Sequence, residues 1–134
     1  MYDRAHRAID ANLNRCREAL RVCEDVTRFV LDDKALTIAL KNIRHKISEI
    51  FTKNIIESRK SASDIGKKSS FDKSKPKNIK SLFYNNIHRA EESIRSLEEF
   101  SKLAAPELSG RFKAFRFKIY SIEKKALKKL NDTD

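Results

Sequence analysis

The sequence predicts an all-α protein, a four-helix bundle of two similar helical hairpins with approximate internal two-fold symmetry and a long central loop. Helix breakers are scarce, since the 134 residues include only two Gly and two Pro, whereas all-β chains need frequent turns. Apolar residues recur at intervals of three and four along most of the chain. Residues 12–26 also resemble residues 86–100, which indicates a duplication.

The first hairpin is predicted over about residues 5–56 of a single domain, 1–134. Its first helix covers about residues 5–31, and Asp32 and Asp33 are suited to N-cap the second. The first apolar stripe consists of Ile9, Leu13, Cys16, Leu20, Cys23, Thr27 and Val30. The second consists of Leu36, Leu40, Ile43, Ile47, Ile50 and Phe51.

The second hairpin is predicted over about residues 78–130, after a central loop at about 57–77. Its first helix starts near Asn78 or Ser81, and its second starts near Pro106, a proline at the first helical position. The stripes consist of Phe83, Ile87, Ala90, Ile94, Leu97 and Ser101, then of Leu108, Phe112, Phe115, Ile119, Ile122 and Ala126. The repeat offset falls from 74 to 72 between the helices, which predicts a connection two residues shorter than in the first hairpin.

The composition favours anionic partners, because the net charge is +11. Nucleic acid, phosphorylated metabolites and an acidic membrane surface all fit this charge, and so does a merely solvated lysine surface. Cys16 and Cys23 lie seven residues apart, about 10.5 Å along a helix, which exceeds the roughly 7 Å that a disulfide allows. They are interpreted as core residues. No stretch resembles a signal peptide or a membrane span, so a cytoplasmic location without membrane contact is expected.

The repeat keeps polar residues as well as apolar ones. The matched pairs are Asn12 and Asn86, Arg15 and Arg89, Glu18 and Glu92, Arg21 and Arg95, and Glu24 and Glu98. Asn12 and Asn86 fall within the apolar stripes, where an amide needs a partner: the other Asn, a carboxylate, a ligand, or a neighbouring helix whose register it fixes. The charged pairs either support the helices as surface ion pairs or perform a repeated function.

Other types of site are not indicated by the sequence. The three histidines lack metal-ligand spacing, so a histidine site is not expected, and there is no glycine-rich phosphate loop. A phosphate site would therefore depend on Arg, Lys, Ser and helix N-termini.

Two segments, Ile9–Asp25 and Arg28–Asp33, closely resemble the start of the small hydroxymethylpyrimidine-phosphate kinase family of thiamine biosynthesis, which is often fused to thiamine-phosphate synthase. The resemblance continues through Arg44-His45, Arg59, Asp64-Ile65-Gly66 and Asn86 to Glu99. In the central loop the family has Gly-Asp-Val-Gly-Thr, where this chain has Ser63-Asp64-Ile65-Gly66-Lys67.

The resemblance implies a kinase that transfers the γ-phosphoryl group of ATP to 4-amino-5-hydroxymethyl-2-methylpyrimidine phosphate, with Mg²⁺ as cofactor. Thiamine-phosphate synthase is then an expected partner, and a homodimer an expected assembly. We hypothesise that Arg15, Arg89 and Arg59 are the catalytic residues and bind phosphate groups. The substrate-binding residues are Asn12, Arg21, Asn86, Arg95, Asp64 and Gly66. The candidate Mg²⁺ ligands are Glu18, Glu92, Glu24 and Glu98.

The acceptor would already be a phosphate, largely dianionic near neutral pH, so no general base is expected. The alternative to a kinase is a basic helical domain that binds nucleic acid or a protein partner without catalysis. Nucleic acid is the less expected ligand, because the repeat is balanced in acid and base and the chain has no helix-turn-helix signature.

Overall fold

The computed structural model describes residues 2–50 and 75–133, and all regular structure within these ranges is helical. Helix α1 spans Tyr2–Asp25 and is followed directly by a π-helical segment, Val26–Val30. Helix α2 spans Lys34–Ile50, α3 spans Ile79–Ala104 and α4 spans Pro106–Thr133. The all-α prediction is therefore confirmed, with α3 and α4 starting where the sequence predicts.

Helices α1 and α3 carry the two copies of the repeat and pack together, antiparallel, at the centre of the bundle. Cys16 of α1 forms a hydrogen bond with Ser93 of α3, whereas Cys23, further along α1, lies near Glu91, which comes earlier in α3. Helix α2 packs on α1 and α4 packs on α3. As a result, α2 ends and α3 begins at opposite ends of the bundle, so no tight turn could join the hairpins.

The outer helices meet along the remaining side of the bundle. Lys129 in the last turns of α4 binds Asp33, which caps α2 by accepting a hydrogen bond from the backbone N–H of Leu36 at 2.9 Å. That N–H and, to a lesser extent, Lys129 lower the pKa of Asp33. The contact joins the connection between the two helices of the first hairpin to the C-terminal end of the second hairpin.

The internal symmetry predicted from the repeat is visible in matching contacts. Thr27 Oγ1 donates to the carbonyl of Glu24 at 3.0 Å, and Ser101 Oγ donates to the carbonyl of Glu98 at 3.1 Å. Residues 31–33 connect α1 to α2 across the turn, whereas residue 105 alone connects α3 to α4. The second connection is thus two residues shorter, as the change in repeat offset predicts.

Within the described residues the predicted apolar stripes form the core, with one correction at the end of the first helix. Phe51, predicted at the end of the second stripe, and most of the predicted central loop lie outside the described residues. Val30 keeps 39% of its surface exposed, although the sequence places it on the buried stripe. The cause is the π-helical segment, whose i→i+5 hydrogen bonds widen each turn and rotate Val30 away from the core after Thr27. Cys16 and Cys23 are buried and unpaired, and burial raises the pKa of the Cys16 thiol to about 12.

A capping box fixes the start of α3. The Asn78 side chain accepts from the Ser81 backbone N–H at 2.8 Å, while Ser81 Oγ accepts from the Asn78 backbone N–H at 3.2 Å. We expect Asn78→Ala to lower the free energy of unfolding by about 1 kcal/mol, because a first-turn N–H loses its partner. Urea denaturation measures the change. Asn85→Ala, an exposed Asn inside the same helix, is the control, and an equal loss there would contradict the capping role.

Candidate functional site

One partly buried ion pair holds each hairpin together, at equivalent positions of the repeat. Arg44 Nη2 of α2 donates to Glu24 Oε1 at 3.1 Å, and Arg116 Nη2 of α4 donates to Glu98 Oε1 at 2.9 Å. In each pair the arginine Nε also binds the second carboxylate oxygen. The hydrogen bond with Glu24 raises the pKa of Arg44. These two candidate Mg²⁺ ligands therefore each face a bidentate guanidinium, and a metal ion would have to displace it.

The repeated asparagines are satisfied within their own helices. Asn12 Nδ2 donates to the carbonyl of Ala8, and Asn86 Nδ2 donates to the carbonyl of Leu82, each at 2.9 Å. Asn12 is buried and Asn86 is half-buried. From the sequence, the possible partners were the other Asn, a carboxylate, a ligand or a neighbouring helix. In the described residues both amide groups instead donate to carbonyls of their own helix, and their role in ligand binding stays a prediction.

The remaining repeated charges lie on the surface. Arg15, Glu18 and Arg21 are exposed on α1, and Arg89, Glu92 and Arg95 are exposed on α3. Arg15 Nη1 lies 3.5 Å from Asn12 Oδ1.

Arg95 binds acidic neighbours on its own helix, with Nη2 at 3.0 Å from Glu99 Oε1 and Nη1 at 3.5 Å from Glu98 Oε1. The pKa of Glu99 is lowered, mainly by Lys102 and less by Arg95. Arg95 is thus held by carboxylates of its own helix, whereas Arg21, the equivalent residue of the first copy, lines a groove.

A cationic groove of about 440 Å³ lies between α1 and α2. Its volume falls within the range of small-molecule sites. It brings together three arginines and one carboxylate, so its lining favours anions such as phosphates. The lining residues are Asn14, Arg17, Glu18, Arg21 and Arg44. Glu24 fixes the guanidinium of Arg44 at the groove wall.

The corresponding positions of the second copy have side chains of different types. Where the groove has Asn14 and Arg17, the repeat places His88 and Glu91. His88 Nε2 lies 2.7 Å from Glu123 Oε2 of α4 and 4.0 Å from Glu91 Oε1. The three side chains offer ligand atoms within 4.8 Å of one another. Among the described residues, the four carboxylates predicted as Mg²⁺ ligands form no comparable group.

Glu91 is buried in this cluster and retains 8% of its surface exposure. Desolvation first, then the hydrogen bond and charge of Glu123, raise its pKa to about 8. A smaller contribution comes from Glu92 on the same helix, and Cys23 of α1 is also close. Between about pH 4.5 and pH 8 the folded protein therefore keeps a proton here that the unfolded chain has lost, so this group destabilises the fold increasingly as the pH rises.

Of the predicted site residues, the structure brings Glu18 and Arg21 together in the groove. Arg59, Asp64 and Gly66 lie outside the described residues. Sequence reasoning missed Arg17 and Arg44 of the groove, and it set aside histidine sites although His88 joins two carboxylates. The signal that could have found Arg17 and His88 is the difference between the copies at positions 14 and 88 and at positions 17 and 91. Arg44 carries no such signal, because the second copy also has an arginine, Arg116, at the equivalent position.

Comparison with known proteins identifies relatives over most of the chain. The model of the ThiD2 family matches residues 7–125. A protein named thiamine-phosphate synthase from Nostoc punctiforme is 34% identical over 88% of this chain and 34% of its own length. A protein of the same name from Prochlorococcus marinus is 37% identical over 86% of this chain and 34% of its own. The chain thus spans about a third of the length of these relatives.

No solved structure shows a significant match to the chain. Within residues 2–50 and 75–133 we find no helix with the length and apolar character that crossing a membrane requires.

Proposed function

The chain belongs to the ThiD2 family, and on that premise we propose that it acts in thiamine biosynthesis as an ATP-dependent kinase. Its acceptor would be 4-amino-5-hydroxymethyl-2-methylpyrimidine phosphate, and its product the corresponding diphosphate. Relatives that carry this segment are named thiamine-phosphate synthase. A synthase of that kind is therefore the partner we propose for consuming the product.

The cationic groove is the observation that carries the proposal. Phosphoryl transfer depends mainly on positioning and on stabilising charge spread over phosphate oxygens. Arg17 and Arg21 supply guanidinium groups from successive turns of α1, and Arg44 supplies a third from α2. Because Glu24 holds Arg44 in a bidentate pair, the guanidinium is oriented before the ligand arrives, while Glu24 compensates part of its charge. A preorganised donor of this kind stabilises a charged transition state more than a mobile surface side chain does.

The reaction needs no proton acceptor on the protein. A phosphate oxygen of the pyrimidine phosphate attacks the γ-phosphorus of ATP, the bond from that phosphorus to the bridging oxygen breaks, and ADP leaves. The attacking phosphate is already largely dianionic near neutral pH. Glu18, the carboxylate that lines the groove, is therefore not required as a base.

Mg²⁺ fits the groove through one carboxylate. This ion usually keeps several waters and takes one or two carboxylates together with substrate phosphates. Glu18 lies in the groove beside the arginines, whereas Glu24 and Glu98 are held by Arg44 and Arg116. We therefore assign Glu18 as the carboxylate available to Mg²⁺, which when bound would neutralise charge on the ATP phosphates.

Turnover with two matched acceptors tests the proposal. Purified protein is incubated with Mg-ATP and either the pyrimidine monophosphate or the free pyrimidine alcohol. We expect ADP and diphosphate from the monophosphate alone, because only the phosphorylated acceptor supplies a dianionic attacking oxygen. Product from the free alcohol would contradict this acceptor. Absence of turnover, with salt-sensitive DNA binding or a stable protein complex, would favour a binding domain.

A further inference from the structure

The cluster of His88, Glu91 and Glu123 joins the two helices of the second hairpin and takes no part in the proposed kinase groove. Its imidazole and one carboxylate come from α3, one turn apart, and the other carboxylate comes from α4. His88 Nε2 lies 2.7 Å from Glu123 Oε2 and 4.0 Å from Glu91 Oε1. Two ligands of a tetrahedral ion with bonds of about 2.0–2.1 Å lie about 3.3 Å apart. The observed distances bracket that value.

A second observation concerns the buried carboxylate of this cluster. Glu91 is more than nine-tenths buried, and its Oε2 atom has no hydrogen-bond donor among the described residues. Buried carboxylate oxygens are costly without a donor or a positive partner. The neighbouring Glu123 is itself a carboxylate, so its presence adds to the deficit of positive charge. A positively charged ligand at this point would compensate both carboxylates.

We propose that His88, Glu91 and Glu123 bind a divalent first-row transition-metal ion of the Zn²⁺ type. Imidazole nitrogen combined with carboxylate oxygen suits Zn²⁺ and its neighbours, whereas Mg²⁺ prefers oxygen ligands alone. Three protein ligands leave a position for water or another small ligand. The site is therefore distinct in chemistry and location from the Mg-ATP groove between α1 and α2.

The surroundings of the cluster suit an ion that enters from solvent. The His88 side chain is 36% exposed, while the side chains of Glu91 and Glu123 are 9% and 16% exposed. Solvent thus reaches the cluster from the side of His88. The Tyr84 ring lies against the His88 ring, with centroids 4.0 Å apart, and limits its rotation. The first copy offers Asn14 and Arg17 at the equivalent positions, so this site belongs to the second copy only.

Calorimetric titration of the full chain with Zn²⁺ alone, in buffer containing excess Mg²⁺, tests the proposal. We expect one equivalent of Zn²⁺ to bind per chain, without competition from Mg²⁺. His88→Asn and Glu123→Gln should each weaken Zn²⁺ binding by about 100-fold or more. Loss of a group that only forms a hydrogen bond with a metal ligand already costs about 10–100-fold in affinity. His45→Asn and Glu107→Gln remove an exposed His and an exposed Glu elsewhere, and they should leave Zn²⁺ binding unchanged.

Co²⁺ provides an independent readout. We expect the wild-type chain to give a tetrahedral Co²⁺ absorption spectrum that Glu123→Gln abolishes. If that variant does not fold by circular dichroism, Glu123→Asp, which retracts the carboxylate without removing it, replaces it. Absence of Zn²⁺ binding to the folded wild-type chain would overturn the proposal. So would an equal loss of affinity in His45→Asn and His88→Asn, because that result would indicate general surface binding.

Discussion

Replacing Arg116 with Met is expected to lower the free energy of unfolding by about 3 kcal/mol. The substitution leaves the Glu98 side chain, 4% exposed, without the guanidinium that binds both of its oxygens. Breaking a buried ion pair from one side costs about 3–5 kcal/mol, since the remaining charge is desolvated and uncompensated. The lower end applies here, because Arg116 is 15% exposed and Arg95 also lies 3.5 Å from Glu98.

Chemical denaturation at neutral pH measures this change. Arg111→Met provides the matched control, since Arg111 is an exposed arginine on the same helix, and it should shift the unfolding free energy by less than about 0.5 kcal/mol. Adding Glu98→Leu to Arg116→Met removes the uncompensated carboxylate and should recover part of the lost free energy of unfolding. Equal effects in Arg111→Met and Arg116→Met would show that the ion pair contributes no more than a surface charge.

Arg21→Gln is expected to lower kcat/KM of the proposed kinase by about 100-fold. Its guanidinium lines the groove with Arg17 and Arg44. Removal of one hydrogen-bond donor to a charged transition state costs about 10²–10³ in rate, and the lower end applies because Arg21 is exposed. Arg21 is exposed, so the substitution should leave the unfolding midpoint nearly unchanged. Steady-state kinetics with Mg-ATP and the pyrimidine monophosphate measure the effect.

The repeat supplies a comparison for this prediction. Arg95 occupies the position equivalent to Arg21 but binds Glu99 at 3.0 Å, so Arg95→Gln should lower kcat/KM much less. Lys125→Gln removes one exposed positive charge from α4 and controls for the change in net charge. If all three variants lost activity to the same degree, the groove between α1 and α2 would not be where the phosphates bind.

Much of the fold could be predicted from short-range patterns. The buried stripes, the caps at Asp33 and Asn78, and the start of α4 at Pro106 all depend on interactions within about one helical turn. The 72-residue offset also predicted a shorter second connection. Val30 was placed wrongly because a constant helical period assumes α-helical geometry, and the π-helical segment changes that period.

The candidate site could be predicted only in part. Repetition directed attention to the polar faces of α1 and α3, and two of the residues selected in this way, Glu18 and Arg21, line the groove. It could not show that Glu24 and Glu98 face Arg44 and Arg116, because those contacts depend on how the helices of each hairpin are rotated towards each other. Some residues that match between the copies, such as Glu24 and Glu98, form ion pairs within their hairpins. The copies differ at Arg17 and Glu91, and Arg17 lines the cationic groove whereas Glu91 belongs to the proposed metal site.

The sequence by itself determined where helices begin, which faces are apolar and that one hairpin is a copy of the other. These properties follow from spacing, capping and turn chemistry, which act between residues close in the chain. The tertiary structure decided which polar residues meet. His88 and Glu123 are 35 residues apart, and Glu24 and Arg44 are 20 apart. Whether such side chains pair depends on the register and rotation of packed helices, which helical periodicity alone leaves undetermined.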